Sequence, residues 1–573
     1  MKHHLYNRTG KMWINDNLLA TNYGARIMAD SRQTWIFVLN IRHQFIHIQH
    51  LALLWRILAG EKSKVYIVYY MPNTRDAYIY ETGNNAHRRI VFFRAEIFAP
   101  NKKSVILYDF SERTIMTEKK IPSELGTQPV GKLLRQYAVP SIVAMLASSL
   151  YNIVDSVFIG HGVDALALSG LAVTFPLMNI STAFGAMVGM GSSTLISVKL
   201  GQKDYDTAQQ ILGNAVVMNV VMGVIFGAIA LLFLDPILFF FGASDATISY
   251  AREYMQIILL GNVFTHLYFG FNALLRAMGH PKMAMRATIA TVIINTVLDP
   301  LFIFKEIDLG FIQFSGAGWG IKGAAIATIL AQCISLAWQV RVLSDKREFI
   351  HFKRGIYKLK AYIVKEVLTI GLSPCLMNLA SCFVVIFINR GLTNYGGDYA
   401  VGAYGIVHKM TFIFVMIVMG FNQAMQPIAG YNYGAKAYDR VTKVLKITIG
   451  LATIVTTLAF VVGEFFPEYV ALIFTSDEKM IEMAVTGMRY NCLLFPIVGF
   501  QMVAGNFFQS IAQPGKAIFL SLSRQLLFLV PFILIFPHFW GIDGVWISLP
   551  ASDLVSSITA AVMLGMFFRK HRK

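Results

Sequence analysis

Long apolar runs recur along the chain from about residue 137 onwards, and each is long enough to cross a bilayer, which takes about 20 apolar residues. Because backbone groups inside a bilayer must satisfy each other's hydrogen bonds, such runs are expected to be α-helices. An all-α membrane protein is therefore the predicted fold class. The pattern predicts twelve transmembrane helices, at residues 137–160, 168–198, 208–234, 250–275, 283–304, 321–343, 364–390, 400–428, 443–466, 482–508, 517–537 and 543–568.

Basic residues concentrate in alternate loops between these runs, whereas the intervening loops are acidic or neutral, as at Asp235, Glu306 and Glu464. Since loops rich in Lys and Arg stay in the cytoplasm, both ends of the membrane domain are predicted to be cytoplasmic. That arrangement requires an even number of spans. The basic loops carry Lys199 and Lys203, Arg276 and Lys282, the run from Arg341 to Lys360, Lys436 and Arg440, Lys516 and Arg524, and the tail from Arg569 to Lys573.

An internal repeat relates the two halves of this region. The segment LGQKDYD after the second run matches YGAKAYD after the eighth, which pairs Gly201 with Gly434. Pro281 and Pro514, in GHPKMA and AQPGKA, pair at the same separation along the chain. The sequences GIKG and GIDG match at a shorter separation. Both copies leave a basic loop, so the halves are predicted to be parallel six-helix repeats around a central cleft, which is a transporter architecture.

Residues 1–115 differ from the rest, because they mix His, Arg, Asn and aromatic residues without a sustained apolar run. A signal peptide is not expected either, because no apolar core with a small-residue cleavage site follows the first basic residues. Some runs, such as KVYIVYY, resemble strands, but the preferred interpretation is an extension that is disordered or reflects the choice of start codon. The predicted organisation is this N-terminal extension, a first six-helix lobe at 116–345, a cytoplasmic linker at 346–362 and a second lobe at 363–573.

Composition excludes a soluble protein and a nucleic-acid-binding protein. The chain is 55% hydrophobic and only 14% charged, against about 25% charged in soluble proteins. The net charge of +18 resides in alternate loops, which is a membrane topology signal rather than a nucleic-acid footprint. The four cysteines, Cys333, Cys375, Cys382 and Cys492, lack the spacing of a zinc site. No disulfide framework and no cofactor other than a coupling ion are expected.

Acidic residues inside the runs are the candidates for chemistry, because each costs at least about 2.5–3.5 kcal/mol to insert. The clearest is Asp155. Ser148, Tyr151, Asn152 and Asp155 have helical spacing and form one polar stripe, which suits a water-filled cavity better than lipid. Pro140 precedes Asp155 in the same run, so we hypothesise a hinge there whose bend follows protonation of Asp155.

A second polar stripe comprises Thr291, Asn295 and Asp299, which are spaced by four residues. Asn272 and Thr328 lie in neighbouring runs, and the second half is expected to have no acid deep in a run. Residues expected to line the substrate cleft or to support the cation site are Ser148, Tyr151, Asn152 and Asn272. Two carboxylates brought together in a low dielectric cannot both stay ionised cheaply. Such a pair is predicted to bind a proton, or Na⁺ through carboxylate, amide and hydroxyl oxygens.

Structural roles compete with these functional ones. A lone aspartate in a span can simply hydrogen-bond a neighbouring helix, and Asp299 precedes Pro300, a common arrangement at helix ends. Asn272 and Asn295 are also typical of interhelical hydrogen bonds. The chain has no HExxH sequence, no P-loop and no plausible catalytic triad, so it is not expected to be an enzyme.

Five segments resemble, in the right order, the multidrug and toxic compound extrusion (MATE) transporters. They are LYNIVDSVFIGHG, LRAMGHPKMAM, INTVLDPLFIF, GIKGAAIATI and GFNQAMQPIAGYNYGAKAYDR. The resemblance covers about residues 128–570, and the last segment is similar to the bacterial MepA-like subgroup. It implies two six-helix lobes and a central cleft alternately open to each side.

The resemblance further implies export of organic cations in exchange for Na⁺ or H⁺. The family's cation-site positions correspond to Asp155, Asn295, Asp299 and Thr328, with Asn272 nearby. Some relatives use acids in the seventh and tenth helices, where this sequence has apolar or neutral residues.

We therefore expect a cation-coupled antiporter that works as a monomer in the plasma membrane of a bacterium. Its expected partners are small organic cations and the lipid bilayer, and not nucleic acid. A lipid-linked glycan flippase of related fold is an alternative, but it would need cationic cavity residues for pyrophosphate. A membrane protein without a transport function is the other alternative, and loss of efflux in an Asp155→Asn variant distinguishes the antiporter from it.

Overall fold

The computed structural model describes the backbone of residues 124–163, 165–308 and 313–570, together with seven strands between Met12 and Leu107. The chain divides into two compact units, Met1–Lys119 and Lys120–Lys573. The strands of the first unit are β1 (Met12–Ile14), β2 (Arg26–Asp30), β3 (Thr34–Asn40), β4 (Lys64–Tyr70), β5 (Asp76–Thr82), β6 (Arg89–Arg94) and β7 (Val105–Leu107).

Strands β2 to β6 form one sheet in chain order, in which β3 and β4 are parallel and the other neighbours are antiparallel. Strand β1 pairs with β7. The run KVYIVYY, noted for its strand-like pattern, is β4. Most of residues 1–115 lie outside the described residues, so their interpretation as a disordered extension or a start-codon artefact stays a prediction.

The second unit is a bundle of long apolar helices. Among its described residues, nine helices are each long and apolar enough to cross a membrane, and two helix pairs bent by 58° and 54° raise the number to eleven. The spans are 1 (Val130–Gly162), 2 (Ala165–Gly201), 3 (Tyr205–Leu232), 4 (Ile248–Leu260 with Asn262–Ala277), 5 (Pro281–Ile303), 6 (Ile321–Leu343), 7 and 8 (within Ala361–Gly434), 9 (Tyr438–Phe465), 10 (Glu478–Cys492 with Phe495–Ser510), 11 (Pro514–Ile535) and 12 (Pro537–Lys570).

The 74-residue segment Ala361–Gly434 comprises two spans. At 1.5 Å per residue a straight helix of that length would measure about 110 Å, several times the thickness of a bilayer. Gly397 interrupts it with φ 69° and ψ −166°, a conformation that glycine adopts without steric cost. Separating spans 7 and 8 there gives twelve transmembrane helices and confirms the predicted fold class.

Shorter elements connect the spans. Three short helices, Glu124–Thr127, Leu234–Phe240 and Pro467–Phe474, precede span 1 and follow spans 3 and 9. Strands β8 (Glu306–Asp308) and β9 (Gln313–Ser315) pair antiparallel after span 5.

The backbone confirms the parallel repeat. Lys203 and Lys436, which the repeat makes equivalent, have unusual positive φ angles of 61° and 58°. The loops before spans 5 and 11 also share a backbone conformation, because the equivalent residues Gly279 and Ala512 both have positive φ angles, of 96° and 54°. The GIKG and GIDG segments begin with identical φ of 56° and ψ of −131°. The two bent spans, 4 and 10, occupy equivalent places in the two lobes.

The buried cores show where the lobes meet. Among the described residues, three cores contain residues of both lobes. Two of them lie at the end where spans 2 and 8 finish, and a third, which joins Met187 to Cys375, lies nearer the middle of spans 2 and 7. Of the first two, one joins Leu133 to Ile428, and the other joins Leu200 to Val367. At the opposite end each lobe has its own cores, one of first-lobe residues around Ile159 and others of second-lobe residues. The lobes therefore separate toward that end and leave a cleft between them.

Candidate functional site

Two aspartates from different helices meet inside the first lobe. Asp155 of span 1 is 6% exposed and Asp299 of span 5 is fully buried. Their carboxyl groups lie within hydrogen-bonding distance of each other. Because an ionised carboxylate only accepts hydrogen bonds, two of them repel each other at this distance unless one is protonated or a cation lies between them. The local geometry therefore suits the binding of a small cation.

Asn295 and Thr328 complete this group. Asn295 Nδ2 donates to Asp299 Oδ1 at 3.0 Å and lies 3.5 Å from Thr328 Oγ1. Asn295 is one helical turn before Asp299, and Thr328 approaches from span 6. We call Asp155, Asn295, Asp299 and Thr328 the carboxyl cluster. The structure thus brings together all four residues that the sequence assigned to cation coupling.

Several oxygens of the cluster have no hydrogen-bond donor. Asp155 Oδ1, Asn295 Oδ1 and Asp299 Oδ2 are buried and accept no hydrogen bond from the described residues. Within the same part of the chain, neither carboxyl group forms an ion pair with a lysine, arginine or histidine. Buried polar atoms normally have a partner, so these three oxygens are available to accept a proton or to bind a small cation.

The donor set favours a hard cation or a proton over a transition metal. Across the described residues, no group of three His, Cys, Asp or Glu side chains is arranged to hold a metal ion. The cluster instead combines carboxylate, amide and hydroxyl oxygens, and hard cations prefer oxygen ligands. These residues fit Na⁺ or H⁺.

The supporting residues lie elsewhere. Asn272 donates to Ala284 O at 3.0 Å and to Thr288 Oγ1 at 3.1 Å, and it accepts from the buried Arg276. Thr288 is seven residues before Asn295, or about 10 Å along span 5, so these contacts place Asn272 away from the carboxyl cluster. Asn272 therefore makes hydrogen bonds between helices, which is the structural role expected as an alternative to cation binding.

The first polar stripe is only partly described. Ser148 is half-buried on span 1, also about 10 Å from Asp155 along the helix. The side chains of Tyr151 and Asn152 lie outside the described residues. Pro140 is buried within span 1, whose helix continues unbroken from Val130 to Gly162, and its role as a hinge stays a prediction.

Three expectations about charge are wrong. Arg524, which was assigned to a basic loop although the predicted run 517–537 also contains it, lies in the middle of span 11 (Pro514–Ile535). The expectation that the second lobe has no acid deep in a span also fails, since Asp553 is buried in span 12 and pairs with Arg524. Arg276, another residue assigned to a basic loop, is a third exception, because it is buried in the last turn of span 4. The sequence does contain a signal that Asp553 lies within a span, because apolar residues flank the segment ASDLVSS on both sides.

Fold and site together define a polytopic membrane protein with two six-helix repeats and a buried polar cluster in the first. The family model described as MatE matches residues 140–301 and 370–535, which is more than half of the chain. The chain belongs to the MATE family of transporters, and it is a transporter of small molecules rather than a member of an enzyme family.

Its curated relatives support the MepA-like subgroup. The chain is 25% identical over 439 residues to the multidrug export protein MepA of Staphylococcus aureus (strain MRSA252), covering 76% of this chain and 94% of that one. It is 25% identical over 429 residues to MepA of Staphylococcus haemolyticus, covering 75% and 92%. These bacterial relatives, together with the apolar spans, indicate a multi-pass plasma-membrane protein.

Two solved structures of transporters have the same fold as this chain. The MATE multidrug transporter DinF-BH is 35% identical and has a TM-score of 0.70, covering 77% of this chain and 97% of that one. A MOP superfamily transporter from Pyrococcus furiosus shares the fold at 24% identity, with a TM-score of 0.72 and coverage of 78% and 98%.

Proposed function

We propose that this protein is an antiporter that exports organic cations in exchange for Na⁺ or H⁺ by alternating access. The observation that carries the proposal is the contact between Asp155 and Asp299, two buried carboxyl groups with no basic partner in the described part of the chain. Membership of a family with multidrug exporters supports the substrate class.

The carboxyl cluster would couple ion entry to the shape of the protein. An empty cluster carries two like charges in a low dielectric, and a bound cation relieves their repulsion. Spans 1, 5 and 6 each contribute part of the cluster, so the relief depends on how these helices pack. One charge crossing 100 mV supplies about 2.3 kcal/mol, enough to shift a two-state equilibrium roughly 50-fold.

The open end of the cleft defines which conformation of the transport cycle this structure represents. The lobes meet at the end that carries the basic loops and separate at the other end. With the basic loops in the cytoplasm, this is the outward-open shape, and both ends of the membrane domain face the cytoplasm. Cation entry from outside would then promote the opposite, inward-open shape, to which cytoplasmic substrate binds.

The test replaces one carboxyl group without changing its shape. Asp155→Asn should abolish export of ethidium, a planar organic cation, from cells at wild-type membrane abundance. Asp398→Asn is the matched control, because Asp398 is exposed near the break at Gly397 and should leave export unchanged. Wild-type export by Asp155→Asn would contradict the proposal.

A further inference from the structure

The second lobe contains an ion pair in the middle of the membrane. Arg524 Nε donates to Asp553 Oδ1 at 2.8 Å. Arg524 is ten residues from the start of span 11 and eleven from its end, so about 15 Å of helix lies on either side. The Asp553 side chain is 8% exposed and that of Arg524 is 29% exposed. Charges at this depth are rare and usually functional.

The backbone around Arg524 is also unusual. Residues Ser523–Leu529 form a π-helix, a form that is rare and is often found at functional sites. The adjacent Gln525 donates to Ser381 Oγ of span 7 at 2.8 Å, while its own buried Oε1 accepts no hydrogen bond from the described residues. The buried hydroxyl of Ser557, one turn after Asp553, likewise has no hydrogen-bond partner in the described part of the chain. The pair therefore lies in a polar part of the second lobe.

The repeat shows how the lobes differ. At the separation that pairs Gly201 with Gly434, the first-lobe position equivalent to Arg524 is the neutral Thr291. The positions equivalent to Asp155 and Asp299 in the second lobe are the apolar Ile388 and Phe532. Each lobe thus buries acidic groups within its spans, but among the described residues only the second lobe pairs such a buried acid with a basic side chain. Arg524 is the only charged side chain that acts on Asp553 among the described residues.

We propose that Arg524 is a built-in counter-ion that occupies the place of an exchangeable cation beside Asp553. The guanidinium is covalently attached and always charged, so it neutralises Asp553 without being exchanged for an ion from solution. The second lobe then requires no transported ion, and coupling is confined to the first. This inference rests on the proposed antiport function. It assigns to Arg524 the role of setting how many cations are exchanged for each substrate molecule.

Removing the tethered charge tests the inference. Arg524→Gln should leave Asp553 with an unbalanced buried charge that takes up a Na⁺ or H⁺, so that one additional cation is exchanged per ethidium. The ratio of ions to ethidium would be measured from reversal potentials in proteoliposomes. Arg524→Lys, which keeps the charge, should retain the wild-type ratio. So should the double variant Arg524→Gln/Asp553→Asn, which removes both charges.

An unchanged ratio in folded Arg524→Gln would overturn the inference. If that single variant fails to assemble, the double variant decides: ion-driven transport at the wild-type ratio supports a neutralising role, whereas loss of coupling contradicts it. The proposed function is judged separately by the wild type. Wild-type protein that moves ethidium under neither ion gradient refutes the antiport itself, whatever the Arg524 variants do.

Discussion

Two glycines at equivalent positions of the repeat let the lobes touch backbone to backbone. A Cβ on Gly201, at the end of span 2, would collide with the carbonyl oxygen of Tyr431 and lie 2.8 Å from its carbon. A Cβ on Gly434, at the end of span 8, would collide with the carbonyl oxygen of Val198 and lie 2.9 Å from its carbon. Because backbone atoms cannot rotate aside, Gly201→Ala and Gly434→Ala must push the lobes apart at this end.

The size of the effect follows from these contacts. Real Cβ contacts below 3.0 Å essentially never occur, so the two helices would have to move by several tenths of an ångström or more. Overpacking of this kind costs about 1–3 kcal/mol, which corresponds to a roughly 5- to 150-fold change in the ratio of two conformations. The cost applies only while the lobes touch here, so each variant should favour the shape in which they separate at this end.

Double electron–electron resonance would measure the shift. Spin labels at Lys282→Cys and Gly515→Cys occupy equivalent positions in the first turns of spans 5 and 11, in a background without the four native cysteines. Gly201→Ala should add a population with a longer distance between the labels and slow ethidium export. Gly450→Ala, where no atom lies within 4 Å of the added methyl group, is the control. Wild-type distances in folded Gly201→Ala and Gly434→Ala would refute the reasoning.

Two further predictions concern buried amides. Asn214 donates to Ile356 O at 3.3 Å and Lys358 O at 3.1 Å and accepts from Lys360 N at 2.8 Å, so Asn214→Ala should release the linker and cost about 2–3 kcal/mol of stability. A fall in the thermal midpoint of the detergent-solubilised protein would register this loss, and an unchanged midpoint would contradict it. Asn272→Leu removes the acceptor of the buried Arg276 and should cost about 1.5–3 kcal/mol without altering the ratio of ions to ethidium. An altered ratio at normal stability would instead place Asn272 in the coupling site.

The helices of the membrane domain could be predicted because every span must meet the same requirement, an apolar run long enough to cross the bilayer. Apolar length alone located span 6 at 321–343, as the structure has it. The repeat could also be predicted, because LGQKDYD and YGAKAYD share a sequence pattern. The two loops share an unusual backbone as well, in which Lys203 and Lys436 have positive φ angles. The spacing of Asn295 and Asp299 placed both on one face of a helix before any contact was known.

The pairing of charges between helices could not be predicted in the same way. Arg524 counted as a loop residue because the rule for basic loops considers each cation alone, and its partner Asp553 is 29 residues further along the chain. The family resemblance implied that Asn272 lies near the cation site. Which helix it contacts depends on the rotation of span 4, which local sequence does not specify.

The central claim is that a cation bound by the carboxyl cluster drives export. The most direct measurement imposes a Na⁺ gradient and a proton gradient separately on proteoliposomes and follows ethidium movement by wild-type protein and by Asp155→Asn. The account predicts that one of the gradients drives ethidium against its concentration in the wild type and that neither does so in the variant. Equal gradient-driven accumulation by both proteins would contradict it.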